Sequence, residues 1–227
     1  MVMNRNVLKI IAVVTMLVDH IGWQFFPDIV WLRVIGRLAF PIFAFFISEG
    51  MRYTRDRKRY ILTMLLIGVI SQVFYSFLAE RVTNLNIMFT FVFAGVLIVL
   101  IEKVQKENKK MDVLMLTLFI VFVLLVWCLT MVSYGILGVV LVLAFYFIKN
   151  KPLKYTIGAL ILIFMSLFEA IIGGFTFRSI IQVFSVLSVV IIALCYNGQK
   201  GKINLKYLFY VFYPLHLAVI LLIKILI

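Results

Sequence analysis

Ionisable side chains lie inside long apolar runs of this chain, where a lipid bilayer makes them costly to keep. His20 follows Asp19 in the first run, and His216 lies in the last run. A histidine side chain has an unperturbed pKa of about 6.5, which suits a general base at neutral pH. These residues predict proton-transfer chemistry at membrane depth, centred on His20. The alternative is that His20 only hydrogen-bonds a neighbouring helix.

Lys9 precedes His20 by eleven residues. On an α-helix, eleven residues make about three turns and a rise of about 16 Å, so the two side chains share one face. Lys9 would then lie at the cytoplasmic edge and His20 well inside the bilayer. A long ligand with an anionic head and a reactive tail fits this spacing. The alternative is that the Lys9 ammonium only reaches towards the lipid headgroups.

Three further side chains are candidates for supporting roles. Asp19 points about 100° away from His20 on a helix, so we expect it to pair with an arginine such as Arg37. His216 follows Pro214, which opens a turn of the last helix. His216 therefore either lines a polar pocket or satisfies the backbone groups that the proline frees. No metal site is predicted.

A basic cluster follows the second apolar run and contains Arg52, Arg55, Arg57, Lys58 and Arg59. Basic residues beside a membrane attract anionic lipid, with about 1 kcal/mol for each charge. Arginine is also well shaped to hold phosphate groups. The residues alone favour the lipid role, and both roles are compatible.

The composition places these residues in a membrane protein. Of 227 residues, 65% are hydrophobic and 14% are charged, whereas a soluble domain has about 45–50% apolar and about 25% charged residues. Residues 113–132 carry no charge and are long enough to cross a hydrocarbon core of about 30 Å. Disordered, collagen-like and disulfide-rich secreted chains are excluded. We expect one transmembrane helical domain over residues 1–227, multi-pass in the plasma or inner membrane.

Nine apolar runs predict an all-α, polytopic fold with about nine transmembrane helices. The runs cover roughly residues 7–26, 33–51, 60–79, 85–102, 112–132, 134–148, 153–172, 177–196 and 205–225. With the N-terminus in the cytoplasm, 17 Lys and Arg residues lie inside, among them Lys200, Lys202 and Lys206, and 5 lie outside, among them Arg178. This bias supports that orientation. It also explains the net charge of +13 without a nucleic-acid partner.

Several segments resemble the TraX family, and they follow one another along nearly the whole chain. They are LKIIAVVTMLVDHIG (8–22), LRVIGRLAFPIFAFFISEG (32–50), TRDRKRY (54–60), NIMFT (86–90), YGILGVV (134–140) and FYPLHL (212–217). The best-known role in that family is N-terminal acetylation of conjugative pilin, and many chromosomal relatives have no assigned substrate.

A wider resemblance is to transmembrane acyltransferases that use cytoplasmic acetyl-CoA. In the acyltransferase-3 group, a basic residue precedes a first-span histidine by eleven positions, and an RxxxR motif follows a later span. Lys9 and His20 match the first pattern, with Lys in place of Arg, and Arg55 and Arg59 match the second. Residues 38–45 are similar to the second span of the lysosomal heparan glucosaminide N-acetyltransferase.

These resemblances imply a membrane acetyltransferase that acts on an amine or hydroxyl of a pilin or cell-envelope acceptor. The expected binding residues for acetyl-CoA are Lys9, Arg52, Arg55, Arg57 and Arg59. The expected catalytic base is His20, supported by Asp19, Arg37 and His216. The expected partners are membrane lipids, acetyl-CoA and an unidentified acceptor.

Two other classes of function remain open. A multi-span transporter or flippase also needs a polar pocket at membrane depth. A non-catalytic assembly factor for pili or the envelope is the third possibility. Binding of acetyl-CoA would separate the enzyme from both.

Overall fold

The computed structural model describes residues 3–107, 109–199, 201, 203, 205 and 207–227. Three of the lysines that the charge count assigns to the inner side, Lys200, Lys202 and Lys206, lie outside the described residues. The side chain of Arg178 is also outside the described part. The orientation of the chain in the membrane therefore stays a prediction from the sequence.

The chain folds into eleven described helices, joined by short connections. They are α1 (Arg5–Phe25), α2 (Val30–Gly36), α3 (Ala39–Tyr53), α4 (Arg57–Ala79), α5 (Ile87–Glu107), α6 (Lys110–Leu129), α7 (Gly135–Phe147), α8 (Lys151–Gly173), α9 (Phe177–Ile180), α10 (Val186–Cys195) and α11 (Leu208–Leu226). A 3₁₀ segment, Ile181–Ser185, joins α9 to α10. Two short parallel strands, β1 (Asn84–Leu85) and β2 (Met131–Val132), pair with each other.

Seven helical segments of the described chain are long and apolar enough to cross a membrane: α1, the segment Val30–Tyr53 that contains α2 and α3, then α4, α5, α6, α8 and α11. Two shorter apolar helices, Gly135–Phe147 and Ile181–Cys195, account for the other two predicted runs. Each of the nine runs therefore contains a helix, and the all-α polytopic class is confirmed. Such a fold satisfies every backbone group inside lipid.

Polar side chains cap the N-terminal ends of several of these helices, among them α1, α4 and α8. Asn4 accepts hydrogen bonds from the backbone N–H groups of Asn6 and Val7 at the start of α1. Asp56 caps α4, and Asn150 caps α8. Side chains of this kind satisfy N–H groups that have no partner in the first turn, which is why the helices start at these positions.

Several predicted helix ranges differ from the structure, and the run 33–51 is divided into α2 and α3 between Gly36 and Ala39. The run 177–196 is not one continuous α-helix, because the 3₁₀ segment interrupts it at buried Gln182 and Ser185. The Ser185 hydroxyl donates to the Gln182 carbonyl at 2.6 Å, a local bond that competes with regular helix. The run 112–132 is helical only to Leu129, because Met131–Val132 forms β2.

The core lies between α1, α3, α5, α7 and α11. Leu8 and Ala12 of α1 and Ile42 and Ala44 of α3 are completely buried. Helix α6 is peripheral, since Asp112 and Val123 are its buried residues among those described. The central helices therefore position the polar side chains, and the outer helices present apolar side chains to lipid.

Candidate functional site

The two histidines of the chain meet between α1 and α11. His216 Nε2 lies 3.3 Å from His20 Nδ1, and the ring centroids are 4.9 Å apart. The two residues are 196 positions apart in the sequence, and nothing in the sequence predicts their contact. In the fold they form one histidine pair.

Backbone hydrogen bonds assign the proton positions in this pair. His20 Nδ1 lies 2.9 Å from the Met16 carbonyl oxygen, and His216 Nδ1 lies 2.8 Å from the Phe212 carbonyl oxygen. A carbonyl oxygen only accepts, so each neutral ring carries its proton on Nδ1. The His20 Nδ1–H is then shared between the Met16 carbonyl and His216 Nε2. His20 Nε2 keeps a lone pair that can take a proton.

His20, but not His216, lines a cavity of about 250 Å³ on the predicted outer side. We call this the outer cavity; Asp19, Arg33 and Arg37 are also among its lining residues. His216 is 4% exposed and lies behind His20. A molecule in the outer cavity can therefore contact His20, while His216 can act only through His20.

An ion-pair cluster holds one side of the outer cavity. Asp19 pairs with Arg33 at 2.8 Å and with Arg37 at 2.7 Å, so the predicted pairing of Asp19 with Arg37 is confirmed. Arg37 also donates to the Gln182 side-chain oxygen at 3.2 Å. The carboxylate of Asp19 is fully engaged by two guanidinium groups, which suits a role in positioning α1 against α2. Gly36 packs directly against Asp19, where a side chain would collide with the carboxylate.

A second, larger cavity of about 600 Å³ lies at the N-terminal end of α1, and we call it the inner cavity. Arg5 and Lys9 line it. Lys9 Nζ donates to the Leu205 carbonyl at 3.2 Å and lies 5.2 Å from the centre of the Phe209 ring. These cations favour an anionic ligand at this end of the cavity, while its deeper wall is apolar and aromatic.

The inner and outer cavities share four lining side chains: Met16, Phe43, Ile87 and Tyr213. Lys9 lies on one side of this set and His20 on the other, on the same helix. The two residues, with a predicted separation of about 16 Å along α1, therefore line two adjoining cavities.

The TraX protein family matches residues 4–224. The chain belongs to the TraX family. The chain is 28% identical over 253 residues to a protein of Dichelobacter nodosus named "Probable fimbrial assembly protein FimC, serogroup H1", and the match covers 96% of this chain and 97% of that one. It is 23% identical over 215 residues to "Uncharacterized protein RP591" of Rickettsia prowazekii (strain Madrid E), covering 90% of this chain and 84% of that one. No solved structure matches the chain.

The basic cluster of this TraX-family chain lies apart from the inner cavity. Arg57 forms an ion pair with Glu102 and donates to the Tyr146 hydroxyl at 2.9 Å. Arg52 donates to the backbone carbonyls of Phe145 and Tyr146. Carbonyls at the end of a helix attract cations, so the end of α7 competes for Arg52. Both guanidinium groups are therefore directed to α5 and α7 rather than to the inner cavity.

Arg55 and Arg59 are exposed, and neither lines the inner cavity. Of the five predicted cofactor-binding residues, Lys9 alone lines it. Arg5 also lines the inner cavity and was not among the predicted binding residues. Its position was predictable, because Arg5 precedes Lys9 by four residues on α1 and side chains at that spacing are neighbours on a helix.

Proposed function

We propose that this chain is a membrane-embedded acetyltransferase that uses cytoplasmic acetyl-CoA to acetylate an amine or hydroxyl of a pilin or cell-envelope acceptor. One observation carries the proposal. His20 lines the outer cavity, and this cavity adjoins a second, basic cavity on the predicted cytoplasmic side.

The inner cavity suits the donor. Acetyl-CoA has an anionic nucleotide end and a long, uncharged arm that ends in the thioester. Arg5 and Lys9 would hold phosphate groups, because charge-assisted hydrogen bonds to phosphate are strong. The arm would then lie along α1, and the thioester would reach the side of His20 that faces the cavity.

The proposed reaction is a direct transfer. His20 Nε2 removes the proton of the acceptor amine or hydroxyl as its nitrogen or oxygen attacks the thioester carbonyl carbon. While the His20 ring is doubly protonated, it keeps its Nδ1–H on the Met16 carbonyl and His216 Nε2. The carbon–sulfur bond breaks, and the coenzyme leaves as a thiolate, which takes the proton from His20 Nε2 to become the thiol and restores the base. His216 is thus a positioning residue that also stabilises the charge on His20. An acetylated His20 is the alternative route.

One relative supports an acceptor in the pilus or envelope. A protein named for fimbrial assembly is similar along nearly all of both chains. The same name favours a second candidate function, a non-catalytic pilus assembly factor. The paired cavities also suit a transporter that admits its cargo from either side. Neither of these alternatives needs acetyl-CoA.

The test compares acetylation in cells that lack the gene and in cells complemented with the wild type or with His20→Gln. Mass spectrometry of pilins and envelope fractions should detect an acetyl group that the wild type restores and His20→Gln does not. Purified protein should bind acetyl-CoA in calorimetry. If the deletion changes no acetylated species and the purified protein binds no acetyl-CoA, the enzymatic proposal is wrong and the assembly factor is favoured.

A further inference from the structure

The four side chains shared by the two cavities come from four different helices. Met16 lies on α1, Phe43 on α3, Ile87 on α5 and Tyr213 on α11. We call them the collar. Met16 is 6% exposed and Tyr213 is 4% exposed, so these two side chains are packed tightly. The collar is therefore the boundary between the cavities.

Helix α3 shows how thin this boundary is. Phe40 lines the outer cavity alone, Phe46 lines the inner cavity alone, and Phe43 between them lines both. The three rings follow one another at three-residue spacing, a rise of about 4.5 Å per step. Phe43 also packs edge-on against Phe209, with ring centroids 4.7 Å apart. The boundary is about one helical turn thick, and Phe43 is held in place within it.

Charged groups lie on both sides of the collar. Arg5 and Lys9 line the inner cavity, and Asp19, Arg33 and Arg37 line the outer cavity. Charged linings attract water, so an open path between them would conduct ions across the membrane. Apolar constrictions stop hydrated ions because water is excluded from them.

We propose that the collar is a seal and a selectivity element: it stops hydrated ions and charged groups and admits a slender, uncharged arm of a ligand. The sealing role is independent of the proposed function, whereas the identity of the ligand rests on it. For the proposed acetyltransferase, the charged part of the donor stays in the inner cavity and the uncharged arm passes the collar. A donor whose acetyl group adjoins a charge, such as acetyl phosphate, therefore cannot reach His20 from the inner cavity.

The seal is tested with purified full-length protein in liposomes that contain a pH-sensitive dye. After a pH step, the wild type should equilibrate no faster than protein-free liposomes. Phe43→Ala should leak protons several-fold faster, because it removes a ring from the collar. Phe46→Ala is the matched control, since the same substitution one turn away on the same helix affects the inner cavity alone. If Phe43→Ala leaks protons no faster than Phe46→Ala, the collar is not a seal.

Ile87→Ala provides a second collar variant with a smaller truncation, for the case in which Phe43→Ala does not yield folded protein. It should also leak protons faster than Phe46→Ala. If its leak rate equals that of Phe46→Ala, the collar is not a seal. Folding of each variant is checked by its thermal unfolding and by monodisperse elution before reconstitution.

Selectivity is tested by acetyl transfer in sealed inside-out membrane vesicles that carry the protein, so that an added donor reaches the cytoplasmic face alone. The wild type should transfer from acetyl-CoA and not from acetyl phosphate at equal concentration. Equal transfer from both donors overturns the selectivity of the collar. Transfer from neither donor overturns the proposed function and, with it, the identity of the ligand whose arm passes the collar. The leak measurements still test the seal.

Discussion

At the scale of single residues, the proposed role of His20 as a base depends on which nitrogen atoms of the histidine pair carry protons. Both Nδ1 atoms face backbone carbonyls one turn earlier in their own helices. This arrangement leaves Nε2 of His20 unprotonated, while His216 Nε2 accepts from His20. Because His20 also lines the outer cavity, an unprotonated ring nitrogen on this residue favours a chemical role.

The role of His216 as a positioning residue gives a graded prediction. His216→Leu removes one of the two acceptors of the His20 Nδ1–H and should lower kcat by roughly 2- to 10-fold, the value of one hydrogen bond of about 0.5–1.5 kcal/mol. His216→Gln can still accept through its side-chain oxygen and should retain more activity. KM for acetyl-CoA should not change. Equal kcat for wild type and His216→Leu in the acetyl-transfer assay would contradict the positioning role.

Gly36 offers a test of the ion-pair cluster through stability. A methyl group at Gly36 would collide with the Asp19 carboxylate, so Gly36→Ala should lower the free energy of unfolding by about 1–3 kcal/mol. Thermal unfolding in detergent measures this as a lower Tm. Gly173→Ala is the control, because an added methyl group there meets nothing within 4 Å. If both variants unfold at the wild-type temperature, Gly36 does not provide the close approach between α1 and α2.

At the scale of helices, α1 joins the two ends of the site. It carries Arg5 and Lys9 on the inner cavity and His20 on the outer cavity. The N-terminal end of α4, in contrast, is attached to α5 through the pair of Arg57 with Glu102. Donor binding is therefore expected to depend on α1 more than on the basic cluster.

Calorimetry of acetyl-CoA binding tests this division between helices. Each lost charge-assisted contact should cost about 1.5–3 kcal/mol, so Arg5→Ala and Lys9→Ala should each weaken binding by at least about tenfold. Arg55→Ala and Arg59→Ala should each weaken it less. If the order is reversed, the phosphates bind at the exposed basic cluster, as the sequence resemblance implies, and not in the inner cavity.

Helix positions were predictable because lipid leaves a backbone few other conformations. The pairing of Asp19 with Arg37 was predictable for a similar reason, since a buried carboxylate at membrane depth requires a cation. The histidine pair was not predictable, because it depends on how α1 and α11 pack. The directions of Arg52 and Arg57 depend on Glu102 and on the end of α7, which are distant in sequence.

At the scale of the whole molecule, the structure has two cavities that share four lining residues, one lined by Arg5 and Lys9 and the other by His20 on the same helix. This shape suits a reaction in which a cytoplasmic donor meets an acceptor from the other side. It requires the orientation that the positive charges predict, with the N-terminus in the cytoplasm.

Reporter fusions test that orientation. Three predicted spans separate Lys110 at the start of α6 from Arg178 in α9, so fusions at these positions should report opposite sides, with Lys110 inside. Fusions that report the same side would contradict the predicted number of spans, and an outside location for Lys110 would invert the assignment of donor and acceptor cavities.

The most direct test of the central claim measures acetyl transfer by His20→Gln. Glutamine preserves approximate size and hydrogen bonding but cannot take a proton at neutral pH. Transfer from labelled acetyl-CoA to envelope preparations should fall by about 10²- to 10⁴-fold, while acetyl-CoA binding and Tm stay at wild-type values. His216→Gln, assayed beside it, should lose far less. Transfer near the wild-type rate in His20→Gln would show that His20 is not the base.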